Sequence, residues 1–421
     1  MGTRGAVALA LLAAVPAALV RLGALAVPVE VATLCYGLAI VGASFAMAWG
    51  SEAAEHDIPR ALALTVVALL AVFPEYAVDI VFAFRAGQNP DFAQYAAANM
   101  TGSNRLLLGL GWPSVAVLAW WRRGTRHIAL TRDSIMPLLF LTLATLFSFV
   151  LPLRASVGIL DTVPLFALFI AYAALAAREQ TTEPDLIGPA ARIGSLAPGA
   201  RRLTIAGLFV FAGSAIGIST APFADGLVRT GENLGIDQFL LVQWLAPLAS
   251  EAPEFLIAGL LAARGKTSPA LALLLSSKLN QWTLLIGSLP LAYAAGVSSV
   301  SGASGVGVLH VSLPLDARQV GEVWLTASQS LFGVAVLANL VMGLGEALLL
   351  ASLFLAQLVV SGVLRADLHN TDAGNQELII FSLAYLVLSL VFAIRARRAI
   401  AALWRRRPLV TRSGSSTPAS G

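Results

Sequence analysis

The sequence contains few charged side chains for its length. Of its 421 residues, 12% are Asp, Glu, Lys or Arg and 58% are hydrophobic, whereas soluble proteins carry about 25% charged residues. A soluble fold of this length needs a larger polar surface, so the composition excludes a soluble globular enzyme, a nucleic-acid-binding domain and a disordered chain. We therefore expect an all-α integral membrane protein that resides in the lipid bilayer.

Other scarce residue types remove further functions. The single cysteine, Cys35, cannot form an internal disulfide. The four histidines fall near span ends or in loops, and the H-E-x-x-H, Walker A and G-x-S-x-G motifs are absent. A membrane enzyme or a non-transporting sensor would need a nucleophile, a metal-ligand set or a soluble domain, and none is visible. The sequence therefore predicts a protein that is not an enzyme and uses no cofactor.

Long apolar runs predict about twelve membrane-spanning helices. A span needs roughly 20 mostly apolar residues, and such runs lie at 5–27, 31–50, 60–84, 93–121, 134–152, 158–177, 203–222, 237–263, 269–295, 323–340, 343–362 and 377–395. The first run is longer than the apolar core of a signal peptide, which spans about 7–15 residues. It is therefore expected to remain as a span.

The arginines predict the orientation of these spans. They cluster after the fourth, sixth and eighth spans and at the C-terminus, and all four places fall on one side of a twelve-span topology. The positive-inside rule makes that side cytoplasmic. The chain is thus predicted to be a multi-pass protein of the plasma membrane of a prokaryote, with both termini in the cytoplasm.

The polar segment 178–202 divides the chain into two similar halves. In the first half, Pro74-Glu75 lies deep in a span and is followed by a span with Gly102-Ser103-Asn104; in the second, Pro253-Glu254 is followed by Ser276-Ser277-Lys278. The two glutamate helices run in opposite directions in this topology, so the repeat is inverted, as in many transporters. The predicted organisation is an extra span at 1–30, a first repeat at 31–177, a cytoplasmic linker at 178–202, a second repeat at 203–362, an extra span at 377–395 and a basic disordered tail at 396–421.

The two glutamates are the strongest candidates for chemistry. A carboxylate deep in a span costs several kcal/mol unless it faces a cavity, a partner or a cation. The preceding proline frees a backbone carbonyl, and carbonyl and carboxylate oxygens suit hard cations such as Na⁺ or Ca²⁺. We therefore predict that Glu75 and Glu254 are metal ligands, although a kinked helix with a protonated glutamate remains the alternative for either one alone.

Further polar residues near the two Pro-Glu motifs could complete an ion-binding site. Asp79 is four residues beyond Glu75 and shares its helix face, so it either extends the ion path or lies near the outer membrane boundary. Glu251 and Glu254 also share a face, and two carboxylates so close seldom both ionise without a cation. The remaining candidates offer neutral oxygens and lie in both repeats: Asn99, Ser103, Asn104, Ser250, Ser277 and Gln281.

Lys278 allows three interpretations. The chain otherwise uses arginine almost everywhere, with Lys266 as its only other lysine. Lysine can lose its proton when desolvated, whereas arginine effectively cannot. The ammonium could stand permanently in place of a bound cation, it could carry a proton, or it could form a static ion pair with Glu251 or Glu254.

These motifs make the chain resemble the cation/calcium exchanger superfamily, the sodium/calcium exchanger-like membrane proteins. The resemblance rests on LAVFPEYAVDIVFAFRAG with AANMTGSNRLL in the first half and on LASEAPEFLIAGLLAARG with LALLLSSKLNQ in the second. It implies a fold of five plus five core helices, about two flanking helices and alternating-access antiport of inorganic cations such as Ca²⁺, Na⁺ or H⁺. The two glutamates would be the central ligands.

The sequence departs from that family pattern at several ligand positions. Ala71 and Val72 replace Thr-Ser in the first repeat, while Glu251 replaces the expected Ser in the second. Lys278 stands where the motif ends in Asn, and Gln281 replaces Asn or Asp. An ordinary set of several Na⁺ sites and one Ca²⁺ site is therefore not expected. A cation channel or uniporter-like conduit on the same scaffold is the alternative function.

Overall fold

The computed structural model describes residues 2–54, 57, 72–176, 186–301, 311–367 and 370–405. Parts of three predicted segments lie outside the described residues. They are positions 60–71 of the predicted span 60–84, positions 178–185 of the linker and the tail from residue 406 onward. The architecture within the described ranges is a bundle of helices with four short strands in its loops.

The helices of the first half follow the predicted spans. They are α1 (Thr3–Leu12), α2 (Val15–Arg21), α3 (Val29–Ala54), α4 (Phe73–Gln88), α5 (Ala93–Leu106), α6 (Trp112–Arg123), α7 (Ile135–Ser148), α8 (Val150–Arg154) and α9 (Ile159–Ala176). Two 3₁₀ turns, Pro90–Phe92 and Arg132–Ser134, precede α5 and α7, and a π-helical turn, Leu107–Gly111, joins α5 to α6.

The second half repeats this plan after the short helix α10 (Gly188–Gly194). Its helices are α11 (Pro198–Leu234), α12 (Gln238–Ala263), α13 (Thr267–Asn280), α14 (Ile286–Ser301), α15 (Ala317–Leu337), α16 (Leu344–Gly362) and α17 (Thr371–Arg405). A π-helical turn, Gln281–Leu285, joins α13 to α14, and another, Val363–Asp367, follows α16. The helix α17 passes the predicted end at residue 395, so residues 396–405 are helical rather than part of a disordered tail.

Ten stretches of the described chain are long and apolar enough to cross a membrane. Two predicted spans are missing from these ten: 60–84, of which only the part from residue 72 onward is described, and 93–121, which forms α5 and α6 and carries polar residues of the candidate site. Large apolar side chains such as Leu203 (76% exposed) and Leu160 (73%) face outward, where lipid tails can cover them. The prediction of an all-α integral membrane protein is confirmed.

The backbone contains the inverted repeat. The π-helical turns begin three residues after Asn104 and three residues after Lys278. Ala155 and Leu340, the two non-glycine residues with positive φ in the described chain, each precede a short strand. Because these irregular features recur at corresponding places, the two halves share a local structure that the regular helices alone would not reveal.

Four three-residue strands, which the sequence did not predict, tie the two halves together. The strand β1 (His127–Ala129) pairs antiparallel with β4 (Val341–Gly343), and β2 (Ser156–Gly158) pairs with β3 (Ser312–Pro314). Each pair joins two loops that the predicted topology places on the same side of the membrane. The hydrogen bond from Arg123 to the carbonyl of Arg264 also joins two same-side loops, which supports the predicted alternation of the spans.

Two close helix crossings bring the repeats into contact. A Cβ atom on Gly102 of α5 would lie 1.9 Å from the carbonyl oxygen of Gln243 on α12, and one on Gly296 of α14 would lie 1.9 Å from the carbonyl oxygen of Phe84 on α4. Only glycine permits such backbone contact. Each glutamate-bearing helix therefore packs against the second element of the opposite repeat, which places the Pro-Glu motifs next to the predicted oxygen ligands.

Candidate cation site

Glu75 lies at the beginning of a helix. The helix α4 begins at Phe73, and Pro74 occupies the first turn, where its missing N–H is not needed. Glu75 lies in that same turn and is 3% exposed. The positive end of the helix dipole favours a carboxylate there. Within the described residues, the first repeat thus presents its glutamate in the first turn of α4.

Glu254 lies within a continuous helix. Pro247 and Pro253 are both inside α12, and Pro253 cannot donate to the carbonyl four residues earlier. The hydroxyl of Ser250 donates to the carbonyl oxygens of Ala246 (3.2 Å) and Pro247 (3.3 Å). Ser250 therefore binds its own helix backbone, but its oxygen still has lone pairs that can accept.

The structure brings the predicted carboxylates together. Glu75 interacts electrostatically with Glu251, Glu254 and Asp79. The side-chain amide of Gln281 donates to Oε1 of Glu251 at 3.0 Å and also lies beside Glu75. Since α4 supplies Glu75 and Asp79 and α12 supplies the other two carboxylates, the cluster forms between the two repeats.

The neutral candidates line the same cluster. Ser103 lies beside Glu251, Ser277 beside Glu254, and Asn99 beside Asp79. Asp79 and Asn99 are fully buried, so the side chain of Asp79 lies in the protein interior, as an extension of the ion path requires.

Many oxygens of this cluster have no hydrogen-bond partner. They belong to the predicted residues Glu75, Asp79, Asn99, Ser103, Glu251, Glu254 and Gln281. Buried polar atoms are almost always paired in native proteins, and a set of unpaired acceptors in one place is typical of a site for water or a cation. Within the described ranges, no three His, Cys, Asp or Glu side chains form a ready metal cluster, so a cation here would also need neutral oxygens.

Lys278 contacts an asparagine and not a carboxylate. Its Nζ donates to the backbone oxygen of Asn104 at 2.9 Å and to the side-chain Oδ1 of Asn104 at 2.8 Å. The ammonium also lies over the ring of Trp282, 4.7 Å from its centroid. No ion pair in the described chain includes Lys278, so the static pair with Glu251 or Glu254 is wrong as a direct contact, although Glu251 and Glu75 attract the ammonium from a distance.

Asn104 and Lys278 are corresponding residues of the two repeats. Their direct contact means that the local twofold axis passes between them, as in any interface between equivalent surfaces. Tyr76, which sequence reasoning missed, adds a second link by donating to Oδ1 of Asn280 at 2.9 Å. Its position next to Glu75 is the only signal that could have suggested this role.

A second buried polar cluster lies beside the first. The polar helix face at 321–329 does more than pack against neighbouring helices, because Glu322 of that face forms an ion pair with Arg105. Both side chains are almost fully buried. Arg105 directly follows Asn104, so the second cluster is connected to the candidate site through the backbone of α5.

Comparisons with known proteins agree with this fold. The family model described as sodium/calcium exchanger protein matches residues 30–178 and 204–363. The crystal structure of the H⁺/Ca²⁺ exchanger CAX is similar over 96% of this chain and 97% of its own, with 39% identity and a TM-score of 0.86. None of the curated proteins is similar enough to count as a match.

Two more distant structures share the fold alone. The Ca²⁺/H⁺ antiporter YfkE has 15% identity and a TM-score of 0.54 over 92% of this chain and 99% of its own. The sodium–calcium exchanger NCX_Mj has 17% identity and a TM-score of 0.51 over 79% of this chain and 98% of its own. The predicted exchanger-like fold is confirmed.

Proposed function

Since the chain belongs to the sodium/calcium exchanger protein family, we propose that it is a secondary-active antiporter that exchanges Ca²⁺ for H⁺ across the plasma membrane. The ions would alternate at a site between the repeats, with Glu75 and Glu254 as the metal ligands. Glu251, Asn99, Ser103, Asn104, Ser250, Ser277 and Gln281 would complete or support that site, and Asp79 would extend it outward.

The buried charges of the cluster carry this proposal. Glu75, Glu251 and Glu254 contribute three negative charges when ionised, and Lys278 contributes one positive charge. Asp79 is buried without an ion-pair partner and is counted as the neutral acid. The sum of −2 balances one Ca²⁺. Without the metal, three carboxylates in a water-poor site cannot all remain ionised, because like charges and desolvation both favour the neutral acid. Protons therefore occupy the carboxyl groups when Ca²⁺ is absent, and Ca²⁺ releases about two of them when it binds.

Lys278 supports H⁺ rather than Na⁺ as the coupling ion. Its ammonium fills the pair of Asn104 oxygens that could otherwise receive a monovalent cation. A covalently attached cation needs no Na⁺ to keep the site electrically balanced. The resemblance to the H⁺/Ca²⁺ exchanger CAX, at 39% identity, favours the same pair of ions.

The two ranges of the family match support the proposed division into two repeats separated by a linker. Alternating access would then come from rocking of one set of helices against the other around a fixed site. The arginine clusters support a cytoplasmic position for both termini.

Transport of purified protein in liposomes tests the proposal. A pH difference across the liposome membrane is expected to drive Ca²⁺ in the direction opposite to H⁺. Gradients of Na⁺ or K⁺ should have little effect on this Ca²⁺ movement. Unlabelled Ca²⁺ on the opposite side should accelerate the loss of labelled Ca²⁺ from the liposomes. A channel would pass labelled Ca²⁺ without this acceleration and without proton movement, and that result would overturn antiport.

A further inference from the structure

A buried polar network extends outward from the level of the candidate site. Arg105 lies twelve residues after the first residue of α5, about 18 Å along the helix, whereas Glu322 lies five residues after the beginning of α15, about 8 Å along its helix. Both helices begin on the predicted extracellular side. The Arg105 side chain therefore reaches from the depth of Asn104 toward the extracellular surface, where it pairs with Glu322.

Glutamine side chains connect this ion pair to a second glutamate. Arg105 also donates to Gln357 of α16, and the amide nitrogen of Gln357 donates to Oε1 of Glu377 on α17 at 2.8 Å. Gln243 of α12 donates to Glu322 at 3.0 Å. The network thus joins helices from both repeats and from the C-terminal extra span.

Glu377 lacks the neutralising partner that Glu322 has. It is 3% exposed, and within the described ranges no ion pair includes it. Its second oxygen, Oε2, has no hydrogen-bond partner, and neither has Oε1 of Glu322. The two carboxyl groups repel each other electrostatically. A buried carboxyl group without an ion-pair partner is most stable as the neutral acid, so this pair has room for one proton.

A polar cavity on the predicted extracellular side adjoins α17, the helix that carries Glu377. It has a volume of about 390 Å³ and is lined by Asp237, Asp316, Arg318, Arg365, Thr371 and Asn375. Arg365 borders the cavity and interacts electrostatically with both Glu322 and Glu377. Its guanidinium lies across Gly374, one helical turn from Glu377, and donates to the carbonyl of Gly374.

The charges around this cavity suit a proton better than a metal ion. Asp237 is paired with Arg318 at 2.9 Å, and Asp316 caps the helix α15. The charged groups that face the pair are Arg105 and Arg365, and the buried Tyr385 lies near Arg105. Arg105 is paired with Glu322, and Arg365 donates to the Gly374 carbonyl and to Asn375 rather than to Glu377. Both guanidinium groups repel Ca²⁺, but they do not prevent a proton from moving through water.

We propose that Glu377 and Glu322 form a proton-binding pair, separate from the candidate cation site, which exchanges its proton with the extracellular side through the cavity beside Arg365. Protonation changes the charge that Arg105 faces, and Arg105 follows Asn104 directly in α5. The proton pair therefore makes Ca²⁺ exchange sensitive to extracellular pH, an effect that rests on the proposed function, whereas proton binding itself does not.

Infrared titration of the full chain in lipid tests proton binding without transport. The absorption of protonated carboxyl groups would be followed against pH in the wild type, in Glu377→Gln, in Glu377→Asp and in Glu232→Gln, an exposed carboxylate on the same predicted side. We expect Glu377→Gln to remove one titrating buried carboxyl signal, while Glu377→Asp and Glu232→Gln retain it. A Glu377→Gln spectrum that titrates like that of Glu232→Gln would overturn the proposal.

Ca²⁺ uptake into liposomes at varied external pH then tests the coupling. Glu377→Gln keeps the shape of the side chain and loses the proton, whereas Glu377→Asp changes the shape and keeps it. Loss of pH sensitivity in the Gln variant alone supports a proton site, and equal loss in both variants indicates a structural hydrogen bond instead. If the wild type fails to transport Ca²⁺, the proposed function fails, but the infrared result still decides proton binding.

Discussion

The two repeats have matching backbones and different chemistry. A π-helical turn follows Asn104 in the first and Lys278 in the second, and a left-handed residue precedes a short strand in both. At the same places the first repeat has Val72 and Asn104, and the second has Glu251 and Lys278. The additional carboxylate and ammonium therefore come from one half only, and the ammonium binds oxygens of the other half.

This difference shows how a symmetric scaffold can hold an asymmetric site. The irregular backbone features set where side chains emerge, and they do not depend on the charge of those side chains. The contact between Asn104 and Lys278 uses the local twofold axis, where equivalent residues must meet. Replacing one asparagine with lysine turns a pair of like residues into a donor and an acceptor.

The largest expected effect comes from neutralising either central glutamate. In Glu75→Gln or Glu254→Gln, bound Ca²⁺ loses one balancing charge; breaking a buried ion pair costs about 3–5 kcal/mol, or on the order of 100-fold or more in affinity. Both variants should lose Ca²⁺ exchange in liposomes to a similar extent. The variant Glu232→Gln serves as the control, and exchange that survives in only one glutamate variant would show that the two halves are not equivalent for binding.

Lys278→Asn should give both repeats an asparagine at this position and change which cations the transport depends on. Removal of the ammonium leaves one unbalanced negative charge and frees the Asn104 oxygens, so Na⁺ is expected to become able to enter the site. Flux measured with and without Na⁺ checks this, with Lys266→Asn as the matched control for the other lysine. A variant that loses only thermal stability would favour a purely structural lysine.

Gly102→Ala tests the close contact that exists in the first repeat. An added Cβ would meet the backbone oxygen of Gln243 at 1.9 Å, and overpacking typically costs about 1–3 kcal/mol. The corresponding position of the second repeat, Ser276, already carries a side chain. Thermal unfolding in detergent should show a lower midpoint for Gly102→Ala, while Gly207→Ala, which has open space around it, should not. Equal midpoints for the two variants would mean that α5 and α12 can move apart at little cost in free energy.

The smallest effect is expected at the junction of the halves. Asp57 binds Arg201 and Arg202 at the beginning of the second half, and the hydrogen bond from Arg201 lowers the pKa of Asp57 well below its usual range. Stability from this pair is therefore present above the unfolded pKa of about 3.9 and is lost as the pH falls further. Asp57→Asn should lower the unfolding midpoint slightly at neutral pH, and the difference from the wild type should vanish in acid. The exposed Asp133 provides the control, and a difference that persists in acid would exclude this ion pair as its cause.

The sequence predicted which polar residues come together better than it predicted how they pair. The depth of Glu75, Glu254 and Lys278 in apolar runs was enough to single them out, because buried charge is costly. The cost of burial does not reveal which oxygen atoms accept from the Lys278 ammonium. A carboxylate was therefore considered as its partner, whereas the structure has Asn104. That choice depends on how α5 and α13 meet in the folded protein.

The second cluster was missed for a different reason. Arginines were used as markers of the cytoplasmic side, and Arg105 was not weighed as a buried residue. Its partner Glu322 lies in a polar helix face that also fits ordinary packing. Such pairings depend on contacts between distant segments.

The most direct test of the central claim is to count the protons released when Ca²⁺ binds. Calorimetric titration of the purified protein in buffers of different ionisation enthalpy gives this number without transport. Three carboxyl groups and one ammonium predict the release of about two protons per Ca²⁺, and fewer in Glu254→Gln if any binding remains. Ca²⁺ binding without proton release would contradict the claim that the same carboxyl groups hold both ions.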